Sequence, residues 1–338
     1  MHYSGASALV RPLLAGQGVI FCLHHVTPGG GLQSGFSPNS RLEITPEFLG
    51  EIITFVKSVG YECLSIGEAV ERLKSTKANN RFAVFTLDDG YKDNQLHAYP
   101  VFKKFNCPFT IYVSPRIVDG TCELWWRGME AIVAEHDHLD MQLAGQNVSL
   151  LTDTVDQKWA AYKKLLPLLQ NLPQHEQRLW IRSTAERFSI DLNAMCRDAA
   201  TTWDEIRQVN RDPLSTFGAH TLNHYNLLRL EAHEAEHEIV ESGRRITEEL
   251  GEPTRHFAYP YGNVDAAGPR EFAICEKAGF DSSVTTRLGP VYAGNASHLQ
   301  ALPRIMVSGR FQKPRYIETL ISGLPSILFN KGRLIHVK

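Results

Sequence analysis

Two carboxylates, Asp88 and Asp89, stand side by side and are followed at once by Gly90. Ahead of them, Phe82 to Leu87 is an apolar, β-prone run that reads as a buried strand, and Tyr91 to Phe105 behind them has helical spacing. The acidic pair therefore lies on a strand-to-helix loop, at the carboxyl end of the strand, where α/β barrels and open α/β sheets place their chemistry. Far along the chain, Leu214 to Gly218 is another strand-like run, ending in Ala219-His220-Thr221-Leu222-Asn223-His224. Two imidazoles at this spacing share one face of a helical turn, as two ligands of one metal ion must. An Asp-Gly pair alone is a turn signal, its aspartate a helix cap. Two strand ends that together offer a carboxylate and two imidazoles point instead to a metal site.

Thr86-Leu87-Asp88-Asp89-Gly90 resembles T-F-D-D-G, the first motif of the NodB-like polysaccharide deacetylases (carbohydrate esterase family four). His220 to His224 resembles the second, H-[ST]-x-x-H, and Tyr259-Pro260-Tyr261-Gly262 resembles the third. The motifs come in the family's order, and the resemblance spans Gly18 to about Arg310. It implies Asp89, His220 and His224 as ligands of one divalent metal ion, Asp88 as general base, and the backbone N–H of Tyr261 as an oxyanion donor. One oxygen and two nitrogens with open positions suit zinc, and they are also the facial set of non-haem iron, so cobalt, nickel, manganese and iron remain alternatives. The physics agrees with the role of Asp88: a carboxylate beside a cation stays ionised, yet can take a proton from water that the cation has acidified.

The sequence departs from the family pattern in the residues that should orient the base and donate a proton. The arginine that commonly opens the third motif is Ala258, and the late Leu-x-x-x-His motif is not evident; His336 sits two residues from the end, a poor place for an acid. His24, in His24-His25-Val26, resembles the Y-H-x-V stretch of the poly-N-acetylglucosamine deacetylase branch, which makes it the candidate acid. Arg304, at the end of Leu302-Pro303-Arg304, is the candidate replacement for the missing arginine, placed with Tyr259 and Tyr261 among the groups near substrate. Of the two tyrosines, one is expected to pack and the other to face substrate. Trp125 and Trp126 either line a sugar groove or anchor neighbouring helices.

Further strand signals occur at Val19 to Leu23, Tyr61 to Ile66, Phe109 to Val113, His256 to Tyr259, Ser282 to Thr285 and Ala301 to Ile305. Helical patterns intervene, one opening at Thr45-Pro46 with Phe48, Leu49, Ile52, Ile53 and Val56 on its apolar face. From Glu123 to about Arg211 the β signal gives way to amphipathic helical patterns, read as an insertion. A tail helix is expected over about 314–330. Repeated strand and helix without a hairpin signature predicts a distorted (β/α) barrel of about seven parallel strands in a single domain over 1–338, with a doubly wound sheet as the alternative. His233 and His237 are also four apart but lie among glutamates on a solvated helix face, and His136 and His138 read as a polar loop.

The 338 residues are 43% hydrophobic and 21% charged, with no apolar run near the length of a membrane span. A net charge of −2 gives no reason to expect nucleic acid or an anionic membrane as partner. Six scattered cysteines without a C-x-x-C pair read as buried thiols, and the apolar stretch from Gly18 to Leu23, which follows Arg11, reads as a first barrel strand rather than a signal peptide. A cytoplasmic enzyme that removes N-acetyl groups from an amino-sugar oligosaccharide, polysaccharide or lipid-linked saccharide is the resulting expectation. Its rivals are an iron or manganese enzyme on the same three ligands and a glycan-binding barrel that has lost activity.

Overall fold

Seven runs rich in β-branched and aromatic residues become parallel strands: β1 Gly18–Leu23, β2 Phe82–Leu87, β3 Phe109–Val113, β4 Ser215–Ala219, β5 His256–Ala258, β6 Ser282–Leu288 and β7 Leu302–Met306. Each pairs with the next in sequence, and β7 pairs with β1 through Phe21↔Ile305, closing a barrel. The computed structural model describes residues 14–31, 35–75, 80–335 and 337; Arg11 and His336 lie outside them. In β1, β2 and β3 every residue is buried, as expected where helices cover the outside and side chains fill the inside. Val19, Phe21, Phe85, Leu87 and Phe109 belong to the core shared with the helices, whereas Ile20, Val84, Tyr112, Ala258 and Leu302 form a separate interior cluster. The helix Ile66–Lys74, held at its start by a Ser65–Glu68 capping box, contributes Ile66, Val70 and Leu73 to that interior cluster. The strand expected over Tyr61 to Ile66 is only Glu62–Cys63, alongside the first residues of β2, because Ser65 turns the chain into this helix.

The segment between β3 and β4 differs from its expected all-helical form. Besides helices such as Trp125–Glu135, Val155–Asn171 and Gln174–Arg187 it contains an antiparallel hairpin, His138–Leu143 with Gln146–Leu151. Leu139, Met141 and Leu143 alternate inward, and His138, Asp140 and Gln142 outward, so His138 begins a strand rather than lying in a loop. The two-residue turn has positive φ at both Ala144 (51°) and Gly145 (74°), the geometry that matches strand twist. Alanine is an unusual residue there, and its presence conceals the turn in the sequence. The segment has its own apolar cluster around Trp125, Met129, Ile132, Leu165 and Ile181.

The tail also differs. Two helices, Pro314–Ile321 and Leu324–Phe329, replace the single expected one. They break at Gly323, whose φ of 79° is left-handed and whose Cα lies so close to the Leu14 carbonyl that a Cβ would fall 1.9 Å from its oxygen. Ile317 and Ile321 are buried, as their spacing implies.

Candidate active site

The geometry of a strand end does not by itself aim a side chain; here the backbone is bent to do so. Asp89, Thr221, His224 and Tyr261 all have positive φ, between 55° and 77°, a region costly to residues with a Cβ. These left-handed residues lie on three different strand-end loops, and Asp89, His224 and Tyr261 line one pocket. Gly90 follows Asp89 at φ 80°, and a Cβ there would stand 2.8 Å from Val113 Cγ1, so the turn needs glycine for both conformation and space. His220 and His224 do not lie on a helical turn as their spacing suggested. They sit in an irregular loop, and the left-handed steps at Thr221 and His224 bring the rings together, with centroids 5.0 Å apart.

Asp89 Oδ1 lies 3.3 Å from His220 Nε2 and 3.1 Å from His224 Nε2, and all three side chains are buried. Two atoms bound to one tetrahedral zinc at about 2.0–2.1 Å are about 3.3 Å apart, so the spacing is that of ligands sharing an ion. Hydrogen bonding supports this. The Nδ1–H of His220 donates to the Ala258 carbonyl at 2.7 Å, which leaves Nε2 as a lone pair facing the carboxylate. Asp89 Oδ1 has no hydrogen-bond partner. A bare nitrogen against a buried carboxylate oxygen is unfavourable until a cation lies between them, so the residues present fit a divalent metal. Burial raises the Asp89 carboxyl pKa, but His224 and His220 outweigh it and hold the group well below the usual carboxylate range. Burial also lowers the His224 pKa.

The loop that carries the histidines is braced from three sides. Ser114 Oγ donates to the His220 carbonyl at 2.6 Å, and the Glu238 carboxylate accepts from Asn223 N and Nδ2 at 2.8 and 2.6 Å. Arg178, from the inserted helix Gln174–Arg187, is 1% exposed and donates to the carbonyls of Asn223 and His224 at 3.3 and 3.1 Å. No sequence pattern marked Arg178, which read as one charged residue on an amphipathic helix.

Asp88 points away from this trio, into the grip of Arg304. The guanidinium donates to both carboxylate oxygens at 2.7 Å, to Thr86 Oγ1 at 3.0 Å and to the Thr285 carbonyl at 2.8 Å. With 0% exposure, Arg304 does not reach substrate; it occupies the barrel interior and holds Asp88. Burial raises the Asp88 pKa, but Arg304 outweighs it and the net shift is downward. Cys22 Sγ donates to Asp88 Oδ2 at 3.5 Å, a contact the sequence reading missed, although Cys22 and His24 are two apart at the end of β1 and point the same way. Ligating atoms of Cys22, His24 and Asp88 all lie within 4.8 Å of one another. Burial lowers the His24 pKa despite Asp89 and Asp88 nearby.

Tyr259 is not a substrate residue. It is fully buried, its OH donates to the Gln300 carbonyl at 3.0 Å, and its ring packs on Phe257 and Phe272. Alternation turns it, with Phe257, towards the covering helices, and after the left-handed step at Tyr261 that ring lies 5.2 Å from His224 with its OH accepting from Trp125 Nε1 at 2.9 Å. Trp126 packs 4.9 Å from His224. His24, Asp88, Asp89, His220, His224 and Tyr261 thus share a pocket of about 360 Å³, whose wall includes Trp125 and Trp126. His233 and His237 lie elsewhere, near His175 and Glu238, and among the described residues they belong to no group spaced for a metal.

Residues 145–280, which hold the two histidines and the Tyr-Pro-Tyr-Gly loop, match the model of the polysaccharide deacetylase family. That match spans less than half of the chain, and what the whole chain shares with solved deacetylases is the fold. Asp88 and Asp89 precede the matched segment, at the end of β2 in the same barrel. Among solved structures, Streptococcus pyogenes deacetylase PplD, in complex with acetate, has a TM-score of 0.58 at 17% identity, covering 89% of this chain and 97% of that one. The de-N-acetylase from Aggregatibacter actinomycetemcomitans has a TM-score of 0.57 at 14% identity, over 90% of this chain and 99% of that one. IcaB from Ammonifex degensii has a TM-score of 0.55 at 17% identity, over 91% and 97%. At such identities the likeness is one of fold, and the chemistry of this chain has to be argued from its site. A comparison with curated proteins finds no match.

Proposed function

We propose that the domain hydrolyses N-acetyl groups on an amino-sugar saccharide with the help of one divalent metal ion held by Asp89, His220 and His224. The observation that carries the reading is the pairing of two differently tuned carboxylates: Asp89 against the Nε2 atoms of two imidazoles, and Asp88, one residue earlier, clamped by Arg304. A divalent cation in that place polarises an acyl oxygen and acidifies water.

The rest falls to the chain's own groups. Asp88, ionised because Arg304 offsets its burial, accepts the proton of a water whose oxygen adds to the acyl carbon. Negative charge on the acyl oxygen is met by the backbone N–H of Tyr261, which the left-handed turn presents to the pocket. The C–N bond then breaks as His24 gives a proton to the nitrogen, and acetate and a free amine leave. A lowered imidazole pKa makes protonated His24 the stronger donor. The deacetylase neighbours, one of them bound to acetate, support the same class of reaction.

The test is acetate release from N-acetylated saccharides together with metal analysis of the same sample. Asp88→Asn retains metal and loses nearly all release, whereas His220→Ala loses metal; full activity in the first or unchanged metal in the second rejects the assignment. His24→Ala retains metal and is impaired less on an activated leaving group than on a sugar amine, and an equal loss on both removes the acid role. Activity with zinc under nitrogen separates hydrolysis from an oxygen-dependent iron reaction.

A further inference from the structure

Beside Asp89, His220 and His224, a different trio converges at the ends of β1 and β2: Cys22, His24 and Asp88, whose ligating atoms all lie within 4.8 Å of one another. From this geometry we infer a second cation site, selective for a thiophilic divalent ion such as zinc or cadmium, whose occupation stops acetate release. The site itself stands on the geometry alone. Its inhibitory effect rests on the deacetylase reading, because it requires Asp88 and His24 to be the base and the acid.

The convergence follows from the strand ends. Cys22 and His24 are two apart at the exit of β1 and so point the same way, and the Asp88 N–H donates to the Leu23 carbonyl between them at 3.0 Å, which holds the acidic residue against that face. Cys22 Sγ lies 3.5 Å from Asp88 Oδ2. Bonds of about 2.3 Å to sulfur and about 2.1 Å to oxygen subtend about 105° at a zinc ion when their far ends are that distance apart, close to a tetrahedral angle. A cation there replaces the thiol proton: the S–H bond breaks, a sulfur–metal bond forms, and the proton leaves to water. His24 adds an imidazole nitrogen from the pocket wall, and the pocket of about 360 Å³ gives a water access to the fourth position. Sulfur selects the ion, since thiolate favours soft cations whereas magnesium and manganese favour oxygen.

The local charge also suits a cation. Thiolate and the Asp88 carboxylate carry two negative charges against the one positive charge of Arg304, which leaves one, as at Asp89 with two neutral imidazole ligands. Arg304 engages both Asp88 oxygens, but each carboxylate oxygen has a second lone pair to offer. Burial pushes the Cys22 thiol pKa up, so the ion competes with a proton and this site fills after the first. Once filled, it binds an oxygen of Asp88 and a ring nitrogen of His24, and neither can then move a proton.

The experiment titrates protein already holding one equivalent of zinc with further zinc or with cadmium. Equilibrium dialysis counts the ions bound, the ultraviolet charge-transfer band of a cadmium–thiolate bond reports the sulfur, and acetate release is measured on the same samples. A second ion is expected to bind with that band and to lower release about 100-fold, whereas magnesium and manganese do neither. In Cys22→Ser and Cys22→Ala, each shown to be folded by thermal melting, the second ion binds about 100-fold more weakly and the band shrinks. The other five cysteines are common to parent and variants, so the difference isolates Cys22. His220→Ala, which loses the first ion, keeps the Cys22-dependent band and so separates the two sites. A band and a second affinity unchanged in the folded Cys22 variants, or a Cys22-dependent band that vanishes in His220→Ala, overturns the site. Cys22-dependent binding that leaves acetate release intact keeps the site and overturns its inhibitory effect. Cys22-dependent binding with no acetate release from any saccharide removes the deacetylase reading and keeps the site.

Discussion

Replacing Arg304 with methionine removes the cation that grips Asp88 and leaves a carboxylate that is 2% exposed. Losing one partner of a buried ion pair costs about 3–5 kcal/mol. Asp88→Asn strands the guanidinium instead, but Thr86 Oγ1 and the Thr285 carbonyl still accept from it, so the cost lies near the lower end, about 3 kcal/mol. If the two effects were independent they would sum to about 6–8 kcal/mol. The double variant puts a neutral side chain on both sides and is expected to lose only about 3–4 kcal/mol, a coupling of about 3 kcal/mol or more. A domain stability of about 5–15 kcal/mol leaves the single variants folded for measurement. The assay is urea unfolding of all four proteins followed by tryptophan fluorescence, with Arg304→Lys as the variant that keeps charge but not the fork. The pH dependence gives an independent check. In the parent protein Asp88 has a lowered pKa, so its contribution is present above the ordinary carboxylate value and is lost as pH falls through the folded-state pKa. Without Arg304 both its charge and its hydrogen bonds are lost, burial is opposed only by His220 and His24, and the pKa moves up, so Arg304→Met is less impaired at pH 5 than at pH 7. Additivity within about 0.5 kcal/mol, or a penalty that grows as pH falls, refutes the reasoning.

Two further outcomes follow from groups outside the catalytic pair. Arg178→Met removes the insertion's hold on the Asn223 and His224 carbonyls, and metal affinity in a chelator competition is expected to fall about 10–100-fold; unchanged affinity separates the insertion from the metal site. His256, buried against Ser282 Oγ at 2.9 Å, has its pKa pushed down to about 4 by burial. Its contribution is fully present above pH 6.5, the ordinary histidine value, and is lost as pH falls towards 4, because the unfolded chain takes up a proton that the folded one refuses. The loss approaches about 3 kcal/mol at the bottom of that window. His256→Gln flattens the stability profile between pH 7 and pH 4.5, and an unaltered slope in urea unfolding assigns the effect elsewhere.

The barrel and the Asp89, His220 and His224 trio were legible in the sequence because both have local signatures. A strand buried on both faces is a short apolar run, and the acidic pair and the histidine pair stand directly after such runs, at Leu87 and Ala219. Tertiary structure decided what lies between those signatures. Arg304 meets Asp88 only because β7 closes on β1, and the carboxylate is oriented from a strand end that no local pattern relates to it. Tyr259 and Tyr261 are indistinguishable as letters in one motif; a left-handed step at Tyr261 buries the first and exposes the second to the pocket. The hairpin at Ala144-Gly145 and the bracing by Arg178 were equally silent, since an alanine in a left-handed turn and a buried arginine on a helix run against residue preference. Sequence alone determined which atoms were available and at which strand ends they stood, since both depend on neighbours along the chain. How those atoms pair and which of them meet the pocket depend on contacts between distant segments, and only the closed barrel with its inserted helices supplied those.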